Sequence, residues 1–198
     1  MGNIVTLGGA DSVRRDFDLL QPRKNSRVTV QPATLDDLPA VCELVSEQLP
    51  GEVAAYSVVK EVISYNRNNL LLFSRGGRVV GAYAMLMLTP IGLERLLIGE
   101  LAPLDPDPIC LASRMMTPAA IYNWAVVAPR LAIEGILHVS LFLRQPMYRH
   151  ANLFSRPNTP EGVRLNVSLG SRPLEGAAPG LYRYVRLANR ADALKQAA

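Results

Sequence analysis

The residues best suited to chemistry lie between Ile121 and Gln145. This stretch begins as an apolar run that ends at Ala128, passes through a connector that starts at Pro129, and continues with apolar residues at helical spacing. The pattern predicts a strand, a turn and a helix. Because the first N–H groups of a helix lack partners within it, they point at whatever precedes the helix, and an anion is the natural occupant.

Several side chains in this stretch could act on a ligand, but each also has a structural interpretation. Arg130 could contact a phosphate or simply be exposed to solvent. Tyr122 and Asn123 could face a cleft and orient a substrate, although Tyr122 could equally pack in the core with its hydroxyl satisfied. A second register makes Pro129 to Arg144 one continuous helix, which removes the connector, and the sequence leaves both registers open.

Composition narrows the function classes. The chain has 198 residues, a net charge of +4 and a sequence pI near 9.3, without a Lys/Arg block or an aromatic-basic stripe, which argues against nucleic acid as a partner. The two cysteines and two histidines show no metal-ligand spacing, so no metal site is expected. The longest apolar run, Val79 to Leu88, is too short to cross a bilayer, so no stable membrane insertion is expected.

The ends of the chain differ in character from its middle. Gly2 to Thr6 has the spacing of an N-myristoylation signal without a polybasic companion, and Met1 to Ala10 has no secretory pattern, so a cytoplasmic location is expected. We predict an N-terminal arm over residues 1–26, a single domain over residues 27–187 and a frayed or helical tail over residues 188–198.

Local signals place the other elements of the domain. Arg27–Gln31 predicts a strand, and a hairpin is predicted on either side of Gly76-Gly77. The remaining predictions are a helix after Thr34 that stops at Pro50-Gly51, a helix over Glu52–Asn66, a short strand over Ala151–Ser155, a helix from Thr159 to Gly170 and a final strand over Leu181–Leu187.

The proline-rich stretch over residues 89–118 is predicted to be an irregular excursion, of the kind that forms a lid or a binding loop. Its acidic residues Glu100, Asp105 and Asp107 could attract or deprotonate an amine, or could simply be solvated loop residues.

This order of elements resembles the GNAT acyltransferase superfamily over Arg27 to Leu187. The resemblance rests on the first strand and helix, the hairpin at Gly76-Gly77, the strand exit at Val127-Ala128-Pro129 and the helix from Thr159 to Gly170. It implies an α+β fold, with a mixed, mostly antiparallel sheet flanked by helices. It also implies transfer of an acyl group from acetyl-CoA or another acyl-CoA to an amine.

The resemblance also implies where a CoA would bind. The backbone of Ala125, Val126 and Val127 would hold the pantetheine amides. The cofactor loop, Arg/Gln-x-x-Gly-x-Gly/Ala in the family, corresponds to Arg130, Leu131, Ala132, Ile133, Glu134 and Gly135. Ile133 replaces the first glycine, and Glu134 adds a negative charge beside the expected phosphates.

A second departure concerns the proton donor. Family enzymes often place a tyrosine four residues before the glycine that closes the last helix, and here that position is Asn166, which cannot act as a general acid. Ser171 stands where a phenylalanine usually follows the glycine. Ser155 or Tyr148 could substitute for the tyrosine. Ser155, together with Tyr122 and Asn123 on the central strand, makes up the set of candidate catalytic residues.

Two functions follow from these observations. The first is an acyl-CoA-dependent N-acyltransferase acting on a small-molecule amine or another acceptor, as a possible homodimer. The second is a catalytically inactive GNAT-like protein that serves as a ligand sensor or a partner-binding module. An unrelated α+β binding protein is a third interpretation.

Overall fold

The computed structural model describes residues 16–49, 53–130 and 132–196, with side chains as far as Asp192. Its helices are α1 (Leu38–Gln48), α2 (Tyr56–Tyr65), α3 (Pro90–Ile98), α4 (Glu134–Leu143), α5 (Pro160–Ser168) and α6 (Leu187–Gln196). Its strands are β1 (Thr29–Pro32), β2 (Leu70–Arg75), β3 (Arg78–Leu88), β4 (Ala120–Val127), β5 (Asn152–Ser155), β6 (Arg172–Pro173) and β7 (Tyr182–Tyr184).

Among the described residues these strands form one sheet in the order β1-β2-β3-β4-β5-β7-β6. The β4–β5 pair is parallel, whereas the other neighbouring pairs are antiparallel. Helices cover both faces of the sheet. The predicted fold class, a mixed and mostly antiparallel sheet flanked by helices, is therefore confirmed.

The two faces of the sheet carry different helices. On one face, α4 and α5 cover a core that includes Phe73, Met85 and Ile121. On the other face, α1, α2 and α3 cover apolar residues that include Leu72 and Leu86. Because side chains alternate between faces along a strand, this division decides which polar residues of β4 and β5 can meet.

The predicted hairpin is confirmed. Gly76 and Gly77 have φ angles of 58° and 77°, in the left-handed region that glycine adopts without a Cβ clash. They connect Arg75 of β2 to Arg78 of β3, which are partners in register. The hairpin fixes where the ends of these strands lie at the edge of the sheet.

The predicted boundaries of α5 are also confirmed. The Thr159 side chain accepts a hydrogen bond from the Gly162 N–H at 3.0 Å, and Pro160 occupies the first helical position. Gly170 follows the helix with a φ of 93°. Asn166, near the end of this helix, thereby has a defined position over the sheet.

Two segments differ from the sequence predictions. The excursion opens with helix α3 instead of irregular chain, because Thr89 caps it, Pro90 is tolerated in its first turn, and Gly99 closes it with a φ of 86°. The last strand ends at Tyr184, short of the predicted Leu187. Helix α6 begins at Leu187, which agrees with the helical alternative predicted for the C-terminal tail.

The N-terminal segment that the structure describes lies against the body of the domain. The Phe17 N–H donates to the Leu169 carbonyl at 3.3 Å. Asp18 forms a buried ion pair with Arg186, with 2.8 Å between Oδ1 and Nη2. The myristoylation pattern at Gly2 and the helix stop at Pro50-Gly51 fall outside the described residues.

None of the described helices has both the length and the sustained hydrophobicity of a transmembrane span.

Candidate functional site

Strands β4 and β5 separate where their parallel ladder ends. We call the gap between them the branch. The parallel ladder runs from the Ala120–Asn152 pair to the Asn123–Ser155 pair. Strand β5 ends there, whereas β4 continues to Val127 with β3 as its partner on the other side. The backbone groups of this extension that point away from β3 therefore face the branch.

A bulge lies at the start of this extension. The register between β3 and β4 shifts between Ala84 and Met85, whose partners are Ala125 and Asn123, so Trp124 is the extra residue. The predicted pantetheine-binding residues, Ala125, Val126 and Val127, follow this bulge. A bulge bends its strand, and here the bend falls where β4 loses contact with β5.

The polar side chains at the branch come from β4, β5 and α5. The Ser155 hydroxyl donates a hydrogen bond to the Asn166 Oδ1 at 2.6 Å. Asn166 Nδ2 donates in turn to the Gly162 carbonyl at 2.9 Å, which fixes the orientation of the amide. The residue in the usual tyrosine position therefore contacts Ser155, one of the two residues proposed to replace that tyrosine.

Asn123 is the register partner of Ser155. Its Oδ1 is buried and has no hydrogen-bond partner among the described residues. A buried acceptor without a donor costs about 1–3 kcal/mol. A ligand that brings an N–H into the branch would remove this cost.

Tyr122 and Tyr148 do not join this group. Tyr122 is 6% exposed and packs with Phe154 and Leu181 in the core under α2 and α3. Burial raises the pKa of its hydroxyl, while the charge of Arg156 opposes the rise. The Tyr148 hydroxyl accepts a hydrogen bond from Asn68 at 2.9 Å.

The connector after β4 has a turn-rich path, and α4 begins at Glu134. This supports the strand, connector and helix register over a single helix starting at Pro129. Ile133 has φ −55° and ψ −30°, a right-handed conformation that a β-branched residue adopts without strain. The Ile133 N–H makes no backbone hydrogen bond with a described residue, and Leu131 lies outside the described residues.

Gly135 and Ala132 serve packing. A Cβ on Gly135 would lie 2.4 Å from the ring of Phe73, and Ala132 is fully buried in the same core. The Gly135 N–H donates to the Ala132 carbonyl at 2.7 Å. The glycine that matches the family loop therefore allows α4 to approach the sheet closely.

Glu134 points toward the N-terminal segment. Its carboxylate accepts a hydrogen bond from Ser26 Oγ at 2.9 Å and lies 3.6 Å from Arg23 Nε. Arg130, which lies in the connector between β4 and α4, is exposed to solvent. The negative charge that the sequence places near the expected phosphates is therefore engaged elsewhere.

The acidic residues of the excursion have separate surroundings. Asp107 accepts hydrogen bonds from the Ile109 N–H and from Arg95, each at 3.0 Å. These bonds lower the pKa of Asp107 below its usual value, which makes it a poor base. Glu100 and Asp105 are exposed to solvent.

Comparison with known proteins gives a fold and no closer relative. No family model matches the chain, and no curated protein sequence does. Solved structures do match. The loading GNATL domain of CurA from Lyngbya majuscula has a TM-score of 0.57 at 12% identity, covering 80% of this chain and 97% of that one.

Two further structures give the same result. The GphF GNAT-like decarboxylase in complex with isobutyryl-CoA has a TM-score of 0.52 at 14% identity, covering 79% of this chain and 98% of that one. Ard1 from Thermoplasma volcanium has a TM-score of 0.52 at 13% identity, covering 81% and 99%. The chain therefore has the GNAT fold.

Proposed function

We propose that this chain binds an acyl-CoA at the branch and transfers its acyl group to an amine. The observation that carries the proposal is the extension of β4 beyond the end of β5, next to the start of α4, in a GNAT fold. The extension offers backbone groups to the pantetheine arm. One structure with this fold, the GphF decarboxylase, is a complex with isobutyryl-CoA.

The residues present suit such a ligand. The buried Asn123 Oδ1 would accept a hydrogen bond from a pantetheine amide or from the amine. Arg130 and the N–H of Ile133 would contact phosphates at the start of α4. The remaining predicted loop positions, Leu131, Ala132, Glu134 and Gly135, would shape the connector.

The reaction would be a direct transfer. The amine nitrogen attacks the thioester carbonyl carbon, the carbon–sulfur bond breaks, CoA leaves as a thiolate, and the new ammonium group loses a proton to water. Donors fixed around the carbonyl would stabilise the charge that develops on its oxygen. The hydroxyl of Ser155 would rotate away from Asn166 and donate a hydrogen bond to the leaving thiolate while keeping its proton.

A second function is favoured by the chemistry of the branch. Its side chains Asn123, Ser155 and Asn166 are amides and a hydroxyl, which cannot act as acid or base near neutral pH. A protein with these groups alone could bind an acyl-CoA without turnover, as a sensor or a partner-binding module. Thiol release distinguishes the two functions.

The experiment combines calorimetry and thiol release on the full chain. We expect acetyl-CoA or a longer acyl-CoA to bind, and free thiol to appear with at least one amine of a panel. Replacing Ser155 with Ala should lower the rate about a hundredfold with little change in acyl-CoA affinity. Ser46→Ala is the matched control, because Ser46 is exposed on α1, on the opposite face.

The outcomes separate the alternatives. Binding without thiol release from any amine would reject the transferase and favour the sensor. No binding of any acyl-CoA at millimolar concentration would reject both.

The acceptor and the oligomeric state are further parts of the proposal. Ile98, Ile109 and Met115 are 60%, 53% and 87% exposed on the excursion and its helix. Exposed apolar side chains of this kind would suit an apolar acceptor or a homodimer contact. Sedimentation of the wild type against Met115→Glu would test the homodimer, which is rejected if both sediment as the same monomer.

A further inference from the structure

A row of register partners crosses the sheet from β4 to β6, beside the branch. Tyr122 of β4 pairs with Phe154 of β5, which pairs in turn with Arg183 of β7. Arg172 of β6 is the last partner of the row. Register partners place their side chains on the same face of a sheet, so both arginines share the face of Tyr122 and Phe154.

A third arginine joins this face directly after β5. Continuing the register past the Ser155–Tyr182 pair places Arg156 opposite Leu181, which packs in the core on the Tyr122 face. The charge of Arg156 also opposes the rise that burial gives the pKa of Tyr122, so the guanidinium acts on the same side of the sheet. We use the name cationic patch for three residues: Arg156, Arg172 and Arg183.

The cationic patch lacks counter-charges within the part of the chain that the structure describes. Its three arginines are exposed, and no described carboxylate lies within ion-pair distance of them. Arg172 and Arg183 are directly opposite partners, with about 4.5–5.5 Å expected between their Cβ atoms, and like charges in such a pair destabilise a sheet. An anion bound there would reverse the sign of this interaction.

The cationic patch adjoins the branch. Arg156 directly follows Ser155, at the point where β4 and β5 separate. Strand β7 is the next strand after β5, and adjacent strands are about 4.8 Å apart, so Arg183 lies within about two strand spacings of β4. A small molecule with an amine at the branch therefore has its other groups close to these arginines.

We propose that the cationic patch binds a small amine that carries carboxylate groups, and that this amine is the acceptor. The inference rests on the proposed transfer reaction and names its acceptor class. Guanidinium groups bind carboxylate oxygens through two parallel hydrogen bonds, which lysine cannot do. The carboxylates hold the acceptor and take no part in the bond exchange. This acceptor replaces the apolar one considered above and leaves the exposed apolar side chains of the excursion for the homodimer contact.

The test is calorimetric titration of the full chain with L-aspartate and with L-asparagine at fixed ionic strength. The two ligands have the same amine and nearly the same shape but differ by one carboxylate, so aspartate should bind about tenfold more tightly. Arg156→Gln and Arg183→Gln should each weaken aspartate binding about tenfold for the same reason. Both should leave the acyl-CoA affinity within about twofold of the wild type.

A control variant and a stability measurement exclude an indirect effect. Arg149→Gln is the matched control, because Arg149 is exposed near the opposite end of β5, and it should change aspartate affinity less than about twofold. Arg183→Gln should not lower the midpoint of thermal unfolding, since it removes a like charge opposite Arg172.

Three outcomes would overturn the proposal. Undetectable aspartate binding, or equal affinities for aspartate and asparagine, would show that the carboxylate is not recognised. Equal aspartate affinities in the wild type, Arg156→Gln and Arg183→Gln would show that aspartate binds elsewhere. Tighter binding of phosphoethanolamine than of aspartate would assign the patch to phosphate. These titrations measure binding without acyl-CoA, so aspartate binding without thiol release would reject the transferase and leave the ligand class of the patch standing.

Discussion

The branch and a cavity of about 480 Å³ offer opposite chemistry. We call this cavity the arginine cavity, because four arginines line it: Arg23, Arg27, Arg75 and Arg130. The branch presents backbone groups, two amides and a hydroxyl, and Asn123 Oδ1 is buried there without a donor. The arginine cavity presents four guanidinium groups. The fold itself produces the branch, because β4 extends past the end of β5. The arginine cavity, by contrast, depends on the particular side chains at three strand ends. Because Arg130 and Ile133 line the arginine cavity and are also the residues proposed to contact the CoA phosphates, the two regions would contact different parts of one ligand.

Helix α4 stands between the two regions and is held from both ends. Its first turn packs on Phe73 through Gly135, and its last turn receives the buried Arg186, whose Nη2 donates to the Leu143 carbonyl at 2.7 Å. Perturbing the first turn should affect both regions. Perturbing the N-terminal segment should affect the arginine cavity more.

The largest expected effect comes from breaking the buried ion pair between Asp18 of the N-terminal segment and Arg186. Asp18→Asn should lower the free energy of unfolding by about 3–5 kcal/mol, because Arg186, 1% exposed, would keep its charge without a counter-charge. It should also weaken acyl-CoA binding, since Asp18 anchors the segment that carries Arg23 and Arg27, which line one cavity with Arg130.

Denaturant unfolding and calorimetric titration with an acyl-CoA measure these effects. Glu161→Gln is the matched control, because the Glu161–Arg164 pair is exposed and should contribute less than about 1 kcal/mol. Equal losses from both substitutions would contradict the structural role of the pair.

The second-largest expected effect comes from changing how closely α4 packs on the sheet. Gly135→Ala should destabilise the fold by about 1–3 kcal/mol, because the new Cβ would overlap the Phe73 ring. The acyl-CoA affinity should fall as well, because Ile133, a proposed phosphate contact, directly precedes this turn of α4. Adding Phe73→Leu to Gly135→Ala should recover part of the stability, and thermal unfolding would measure it. No recovery would mean that the overlap is not the cause.

The smallest effect is a pH dependence. Burial alone would raise the pKa of Asp16, yet hydrogen bonds from the Tyr184 hydroxyl and Arg190 hold that pKa below its usual value of 3.8. A lowered pKa in the folded state stabilises the fold above the unfolded-state value, and this contribution disappears as the pH falls through the folded value.

Asp16→Asn should therefore cost about 1 kcal/mol at pH 6, and this cost should shrink as the pH falls below the usual pKa of 3.8. Urea unfolding across this range measures the difference between the variant and the wild type. A difference that stays constant with pH would exclude Asp16 as its source.

The sequence predicts the elements with strong local signals. The hairpin needs only Gly76-Gly77 between two apolar runs, and α5 needs only Thr159, Pro160 and Gly170 at its ends. These signals act over a few residues, so they can be interpreted without knowledge of the tertiary structure.

The sites depend on residues that are distant in sequence. Ser155 and Asn166 meet because α5 crosses the end of β5, and Gly135 is explained by Phe73, which lies on another strand. Arg130 alone gives no sign of the arginine cavity in the sequence. A usable signal existed, since antiparallel order places the start of β1 and the ends of β2 and β4 at one edge, where Arg27, Arg75 and Arg130 lie.

A crystal structure of the full chain with CoA tests the central claim most directly. We expect the pantetheine arm between β4 and β5, with an amide nitrogen about 2.7–3.2 Å from Asn123 Oδ1 and the phosphates near Arg130. An empty branch at saturating CoA would contradict the account.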